Sequence, residues 1–321
     1  MNRLVLAALT ALALFVGPFV GAGAASAQDR LTVLLDWFIN PDHAPLYIAE
    51  ARGEFESRNL EVTFVAPADP SAPPRLVAAG EGDIAITYQP SLYQQAQEGL
   101  PVARIGTLVE TPLNSLVALA DGPVKEIADL KDRTVGYSVG GFEDALLARM
   151  LEGAGLTLDD VRLVNVNFAL TPALLSGRVD AVIGAFRNFE LTQIRLEGRE
   201  GTAFFPEDHG VPSYEELIFI AARERLDDAA LSRFLDAIEV AAQWQAANPE
   251  EAKRIFFEVL PDIDDALNRQ AFKDTLPKFA LEPKELDRER YERFAEFMTA
   301  AGLVTNLPPL EDYAVELPSA D

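Results

Sequence analysis

What most limits the fold of this chain is an alternation made twice: apolar runs of strand length, each followed by a segment with helical spacing. The first series opens with "LTVLLDWF" (31–38), a proline-containing loop "INPDHAP", and the helical "LYIAEARGEFESRNL", interrupted by Gly53. "LEVTFVA", "DIAITY", "VARIGTLV" and "SLVALA" follow as strands, with helices ending at "RLVAAGEG" and running through "SLYQQAQEG". The second series repeats the plan in "TVGYSV", "EDALLARMLEGAG", "VRLVNVNF", "PALLSGRV" and "DAVIGAF". Such alternation predicts an α/β architecture of mainly parallel, doubly wound sheets. From Asp227 onward the chain is nearly all helix, and "TNLPPLEDYAVELPSAD" reads as a proline-rich surface tail. Two series and a helical return predict two lobes, with crossings near 119–123 and 211–216. Lobe 1 would comprise 28–120 plus 214–321, and lobe 2 would comprise 121–213.

The segment before the first strand has a different character. Arg3 gives it a basic start, residues 4–20 are almost wholly apolar, and Ala25-Ser26-Ala27 matches an A-x-A cleavage site. This pattern predicts a secretory signal peptide, 1–27, cleaved after Ala27. The apolar run is short of the roughly 20 residues a spanning helix needs, and Gly17-Pro18 breaks it. With no cysteine in the chain, disulfides, thiolate metal sites and cysteine nucleophiles are excluded. An exported protein of this size without disulfides suits a bacterial periplasm. The formal charge of −24, with no lysine-arginine cluster, argues against nucleic acid or an anionic membrane surface as a partner.

One motif hints at catalysis. G-Y-S-V-G (136–140) matches the G-x-S-x-G nucleophile elbow, with Asp180 or Glu190 and then His209 in a workable order for a triad. His209 lies in "FPEDHGVP", which reads as an exposed turn, and no HGGG-type oxyanion loop is present. The competing interpretation is a strand-to-helix turn whose glycines allow close backbone approach. Free amides there would suit a ligand anion, but Glu143 in the first helical turn repels one. His43 and His209, without cysteines, make a poor zinc site, so no metal is expected.

In open α/β sheets the ligand lies beyond the carboxyl ends of the strands. Those ends carry Asp36, Trp37, Asn40, Asp42 and His43, then Thr87, Tyr88 and Gln89. They also carry Thr111, Leu113 and Asn114 near the first crossing, and Phe186, Arg187, Asn188 and Glu190 after "AVIGA". Aromatic faces sandwich a flat ring; an asparagine amide reads a ring nitrogen beside an exocyclic amine. A single arginine is too little for a sulfonate or phosphate. The set points to a neutral, amine-bearing heterocycle. Trp37, Tyr88 and Phe186 would supply aromatic faces, with Trp37 and Tyr88 stacking the ring. Asn40, Asn114, Asn188 and Glu190 would read its edge, and Tyr137, Gly140, Gly141 and Phe142 would close from the second lobe. Asp36 and His43 serve equally well as ligand contacts or as local hydrogen-bonding groups.

"LDWFINPDHAPLYIAEARGEF", "DIAITYQP", "PLNSL", "GRVDAVIGAFRNFE" and "EDHGVPSYEEL" together resemble the periplasmic thiamine-precursor binding proteins, from residue 31 to about 303. The resemblance implies a two-lobed type II periplasmic binding protein fold. It further implies a formylaminopyrimidine or hydroxymethylpyrimidine ligand and delivery to the permease of an ABC importer. It carries a ligand role onto Trp37, Asn40, His43, Tyr88, Asn114 and Glu190. Related eukaryotic enzymes that build the pyrimidine from pyridoxal phosphate have a lysine and a histidine where this chain has Thr87 and Ser91. Without the Schiff-base lysine that chemistry cannot run. The expectation is a monomeric binding protein, without cofactor and not an enzyme. Riboflavin stands as the alternative ligand, and a serine hydrolase using Ser138 as the alternative of another class.

Overall fold

A computed structural model of the chain describes residues 28–318; the anticipated leader and its cleavage site lie outside these. The first sheet is built from β1 (Asp29–Leu34), β2 (Leu60–Val65), β3 (Ile84–Thr87) and β4 (Val102–Val109), with α1 (Ala44–Ala51), α2 (Pro73–Ala78) and α3 (Gln89–Gln97) between them. The chain then crosses to a second sheet: β5 (Asn114–Leu119), β6 (Thr134–Tyr137), β7 (Arg162–Asn165), β8 (Ala181–Phe186) and β9 (Gly201–Phe204). Here α4 (Glu143–Gly153), α5 (Leu170–Leu175) and α6 (Glu190–Leu196) connect the strands. It returns as β10 (Leu217–Ala222), followed by α7 (Ala229–Ala247), α8 (Pro249–Val259), α9 (Ala266–Thr275) and α10 (Arg288–Ala300).

The two sheets share one plan. Their orders are β2-β1-β3-β10-β4 and β7-β6-β8-β5-β9. In each, the one antiparallel strand is the strand that has just crossed over: β10 pairs antiparallel with β3 and β4, and β5 with β8 and β9. Both sheets are thus mainly parallel, as the alternation predicts. The inserted strands "NSLVAL" and "LIFIAA" are buried along their whole length, which matches the continuous apolar runs of strands covered on both faces.

Two details differ from expectation. The first crossing lies at residues 110–113, not at 119–123, because β5 belongs to the second sheet. "VARIGTLV" and "SLVALA" are equally apolar with a short loop between them, so the sequence does not distinguish a hairpin partner from a crossing. The second crossing, 205–216, includes the anticipated stretch. The tail is also not a surface strap. Leu310, Tyr313, Ala314 and Leu317 are buried in the first lobe's core, and Ala314 bridges to Arg104 on β4. Arg104, fully buried, donates to the carbonyls of Lys284, Glu285 and Val315, which ties the tail down. The same core takes Phe234, Phe256, Phe272 and Phe294 from the last helices, so those helices thicken the first lobe.

Candidate functional site

Both sheets point their strand ends at one cavity between the lobes. From the first lobe come Asp36, Trp37, Asn40, Asp42 and Tyr88; from the second, Glu143, Leu170, Gly184, Phe186, Phe189 and Glu190.

The loop after β1 builds its own wall. Asn40 is extended (φ −153°) and caps the turn Pro41–His43: its side-chain oxygen accepts the Asp42 N–H at 2.7 Å, and its amide donates to the Phe38 carbonyl at 3.0 Å. His43 is fully buried behind this wall. Its Nδ1 faces the Asn40 N–H at 3.4 Å, which leaves the proton on Nε2 to donate to Asp36 Oδ1 at 2.9 Å. Asp36 Oδ2 accepts from the Tyr88 hydroxyl at 3.1 Å. Aspartate, histidine and tyrosine thus form one buried chain in which His43 orients Asp36 and does not itself line the cavity.

Aromatic neighbours depart from the expected sandwich. Tyr88 stacks on Phe142 (centroids 5.0 Å apart, planes 21° apart), so one face of its ring is already covered from the second lobe. Trp37 meets Phe168 edge-on at 4.6 Å and Phe38 at 5.3 Å. Trp37 and Tyr88 both line the cavity, together with Phe186 and Phe189.

The turn after β6 holds the serine of the G-x-S-x-G motif. Ser138 is buried, and its hydroxyl donates to the backbone carbonyl of Asn167, with no histidine among its hydrogen-bond partners. His209 is half-buried, beside Phe204. The Ser138 amide, which would hold a ligand anion, instead donates to Glu143 Oε2 at 2.7 Å. Burial pushes the Glu143 carboxyl well above the usual range. Gly184 makes room for it: φ is +97°, and a Cβ there would lie 2.3 Å from Glu143 Oε1.

A similar device follows β8. Glu190 opens α6 and accepts the Phe186 N–H at 2.7 Å. Burial raises its pKa to about 8, with the nearby Asp42 charge adding to the effect. Desolvation raises Asp42 to about 6, against opposing hydrogen bonds from Thr275 and Asn188. Of the two, Glu190 therefore holds its proton the more firmly, and Asp42 gives its up first as pH rises.

The remaining expected residues sit off this wall. Asn114 is fully buried behind it, with Oδ1 accepting the Gly184 N–H at 3.1 Å and Nδ2 unpartnered. Asn188 is buried and spends its amide on Asp42 and Thr275. Tyr137 packs against the second lobe's core. Gly140 and Gly141 line a separate cavity with Thr87, Ser91 and Gln94 on the other side of Tyr88. Leu170, Phe168 and Gly184 carried no sequence signal as site residues. Phe189 could have been read from "RNFE", and Glu143 from its place in the first helical turn. Among the described residues, no group of three or more histidines, aspartates and glutamates is placed to hold a metal ion.

Comparison with known proteins places this geometry in context. A thiamine biosynthesis protein of Haemophilus influenzae is 51% identical over 91% of this chain and 93% of its own. The formylaminopyrimidine-binding protein of Halalkalibacterium halodurans is 35% identical over 75% and 72%. More distant at 28%, over 82% and 84%, is a 4-amino-5-hydroxymethyl-2-methylpyrimidine phosphate synthase of Legionella pneumophila. Among solved structures, the alkanesulfonate-binding protein SsuA of Xanthomonas axonopodis pv. citri, bound to MOPS, superposes with a TM-score of 0.70 over 90% of this chain and 98% of that one, at 16% identity. The architecture is therefore the periplasmic binding protein fold. With the model described as "NMT1/THI5 like" matching residues 40–252, the chain belongs to the NMT1/THI5-like family.

Proposed function

We propose that the protein is a periplasmic solute-binding protein that closes its two lobes over an aminopyrimidine of the thiamine-precursor type, formylaminopyrimidine or hydroxymethylpyrimidine, and delivers it to an ABC permease. The observation that carries this reading is the lining of the interlobe cavity. Four aromatic rings, four acidic side chains and an asparagine face it, and no lysine, arginine or histidine does. A neutral carboxyl such as Glu190 donates its O–H to a ring nitrogen and accepts from the adjacent exocyclic amine, a two-point match to an aminopyrimidine edge. Asp42, ionised, takes a further N–H. A sulfonate such as the one in the SsuA structure would meet four acids and no basic side chain in this lining. Sequence similarity to a formylaminopyrimidine-binding protein supports the same ligand class.

Binding is favoured over synthesis because Thr87 and Ser91 stand where the pyrimidine-forming relatives are expected to carry a lysine and a histidine, and neither can form a Schiff base. Ligand capture by a monomer in the periplasm is the corresponding cellular role, and the leader predicted at 1–27 would direct it there.

Calorimetric titration of ligand-stripped protein, residues 28–321, with formylaminopyrimidine, hydroxymethylpyrimidine and riboflavin tests the proposal. Micromolar or tighter binding of a pyrimidine, about −8 kcal/mol or better, is expected. A riboflavin isotherm with silence from both pyrimidines would replace the ligand. Silence from all three would remove the reading.

A further inference from the structure

Thr275 ends α9, more than 50 residues after the last strand in the sequence and beyond the stretch 40–252 that matches the family model. Its hydroxyl nevertheless lies 2.7 Å from Asp42 Oδ1 and 2.6 Å from Asn188 Nδ2, and Asn188 Nδ2 lies 2.7 Å from the same Asp42 oxygen. Asp42 stands on the loop after β1 in the first lobe and Asn188 on the turn after β8 in the second; Thr275 ends α9, whose Phe272 is in the first lobe's core and which also meets α6 of the second lobe. All three are buried, at 3%, 3% and 0% exposure. The amide of Asn188 divides its two N–H groups between the Asp42 carboxylate and the Thr275 oxygen. The Thr275 hydroxyl has two acceptors in reach, Asp42 Oδ1 at 2.7 Å and the Ala271 carbonyl at 2.8 Å, and the carboxylate is the stronger one.

We propose that Thr275 and Asn188 form a closure latch on Asp42, a cavity-lining carboxylate. Thr275 positions the carboxylate from within the first lobe, and Asn188 engages it only when the second lobe swings in. This rests on the reading of a protein that closes over a solute.

The latch is incomplete by itself. Closing buries Asn188 Oδ1 without a partner and strips water from Asp42, and both cost free energy. An occupant of the cavity that offers an N–H to Asp42 offsets that cost; an anion adds to it. Closure is thereby tied to a donor-bearing ligand, through residues that need not all touch it. Thr275 is a positioning residue in this scheme.

The chain has no cysteine, so Glu56→Cys on the first lobe and Glu197→Cys on the second, both exposed, accept a dye pair cleanly. Energy transfer between them reports closure, with formylaminopyrimidine as the probe. Thr275→Val is expected to shift the distance distribution toward the open form with and without ligand. It should weaken binding by about ten-fold, one lost hydrogen bond to a charged group. Thr275→Ser, which keeps the hydroxyl, should restore both. Asn188→Ala tests the contact from the other lobe should the valine variant fold poorly. Distributions and affinity matching the unsubstituted protein in both variants would overturn the latch. If the unsubstituted protein does not bind the pyrimidine, the ligand assignment fails, and the latch stands or falls on the ligand-free distributions alone.

Discussion

The two lobes hold their acids in different ways. In the first lobe Asp36 is fixed by side chains, His43 at 2.9 Å and Tyr88 at 3.1 Å, the latter brought in from 52 residues away. In the second lobe Glu143 and Glu190 are fixed by main-chain N–H groups of the turns that lead into their own helices, each at 2.7 Å. Side-chain fixation depends on the tertiary fold; main-chain fixation is local and repeats wherever a strand passes into a helix with a glutamate at its start. The difference teaches why the second lobe's turns have no free Ser138 or Phe186 N–H for the anions that strand-to-helix turns commonly attract. The second lobe has filled its anion cradles with its own carboxyls, while the first lobe adds more acid opposite.

The sharpest way to break the second lobe's arrangement is Gly184→Ala. The new methyl would occupy the space of the Glu143 carboxyl, at a backbone angle of +97° that alanine adopts only with strain. Steric conflict and strain together predict a loss of about 3 kcal/mol or more, read by denaturant unfolding. A change below about 0.5 kcal/mol would show that Glu143 moves aside freely and that the cradle is not fixed.

The first lobe is tested next. Trp37 is half-buried, against Phe168, Phe38 and the edge of the second lobe's core, so Trp37→Ala should lower stability by about 1–2 kcal/mol without unfolding the protein. Removing its ring from the cavity wall should weaken the pyrimidine by about 2 kcal/mol, on the scale of an aromatic contact in a buried site. Full affinity in this variant would move the ligand away from the Trp37 side of the cleft.

A pH series sharpens the contrast further. Folded Glu190 releases its proton near pH 8, whereas in the unfolded chain it does so near the ordinary value of 4.5. Between those values the folded state carries the extra proton, so this residue makes stability fall as pH rises, levelling off above about 8. Asp42, at about 6, and Glu216, a buried acid of the second crossing at about 7, slope the same way. Glu190→Gln cannot ionise and should remove its share, up to about 1.4 kcal/mol per pH unit. Parallel stability curves for the two proteins would show that Glu190 stays charged in the fold.

How much of this was legible beforehand follows from the same distinction between local and distant causes. The strand–helix alternation, the clustering of strand ends and the aromatics Trp37, Tyr88 and Phe186 at the cavity are properties of short stretches, and the sequence carries them. The assignment of β5 to the second sheet is not local, since its pairing is with β8 and β9, about 65 to 90 residues on. The place of Asn114 behind the wall, the covering of Tyr88 by Phe142 and the meeting of Thr275 with Asp42 are likewise tertiary. His43 was visible as a residue of interest, but only the fold shows it turned inward to Asp36. Gly184 sat in plain view within "AVIGAF", yet its importance comes from a carboxyl 41 residues earlier.

The smallest effect is expected at Ser138, where the second lobe's local design is cheapest to alter. Its amide, not its hydroxyl, holds Glu143, and an alanine keeps the amide. The hydroxyl donates to the Asn167 carbonyl, so Ser138→Ala should cost about 1 kcal/mol of stability. Pyrimidine affinity should be unchanged, because Ser138 is absent from the cavity wall. An activated ester offered to both proteins should be turned over by neither. Turnover by the unsubstituted chain that disappears in the variant would reinstate the nucleophile elbow. It would also require the serine to leave its backbone partner and find a base, which His209, beside Phe204, does not supply in this arrangement.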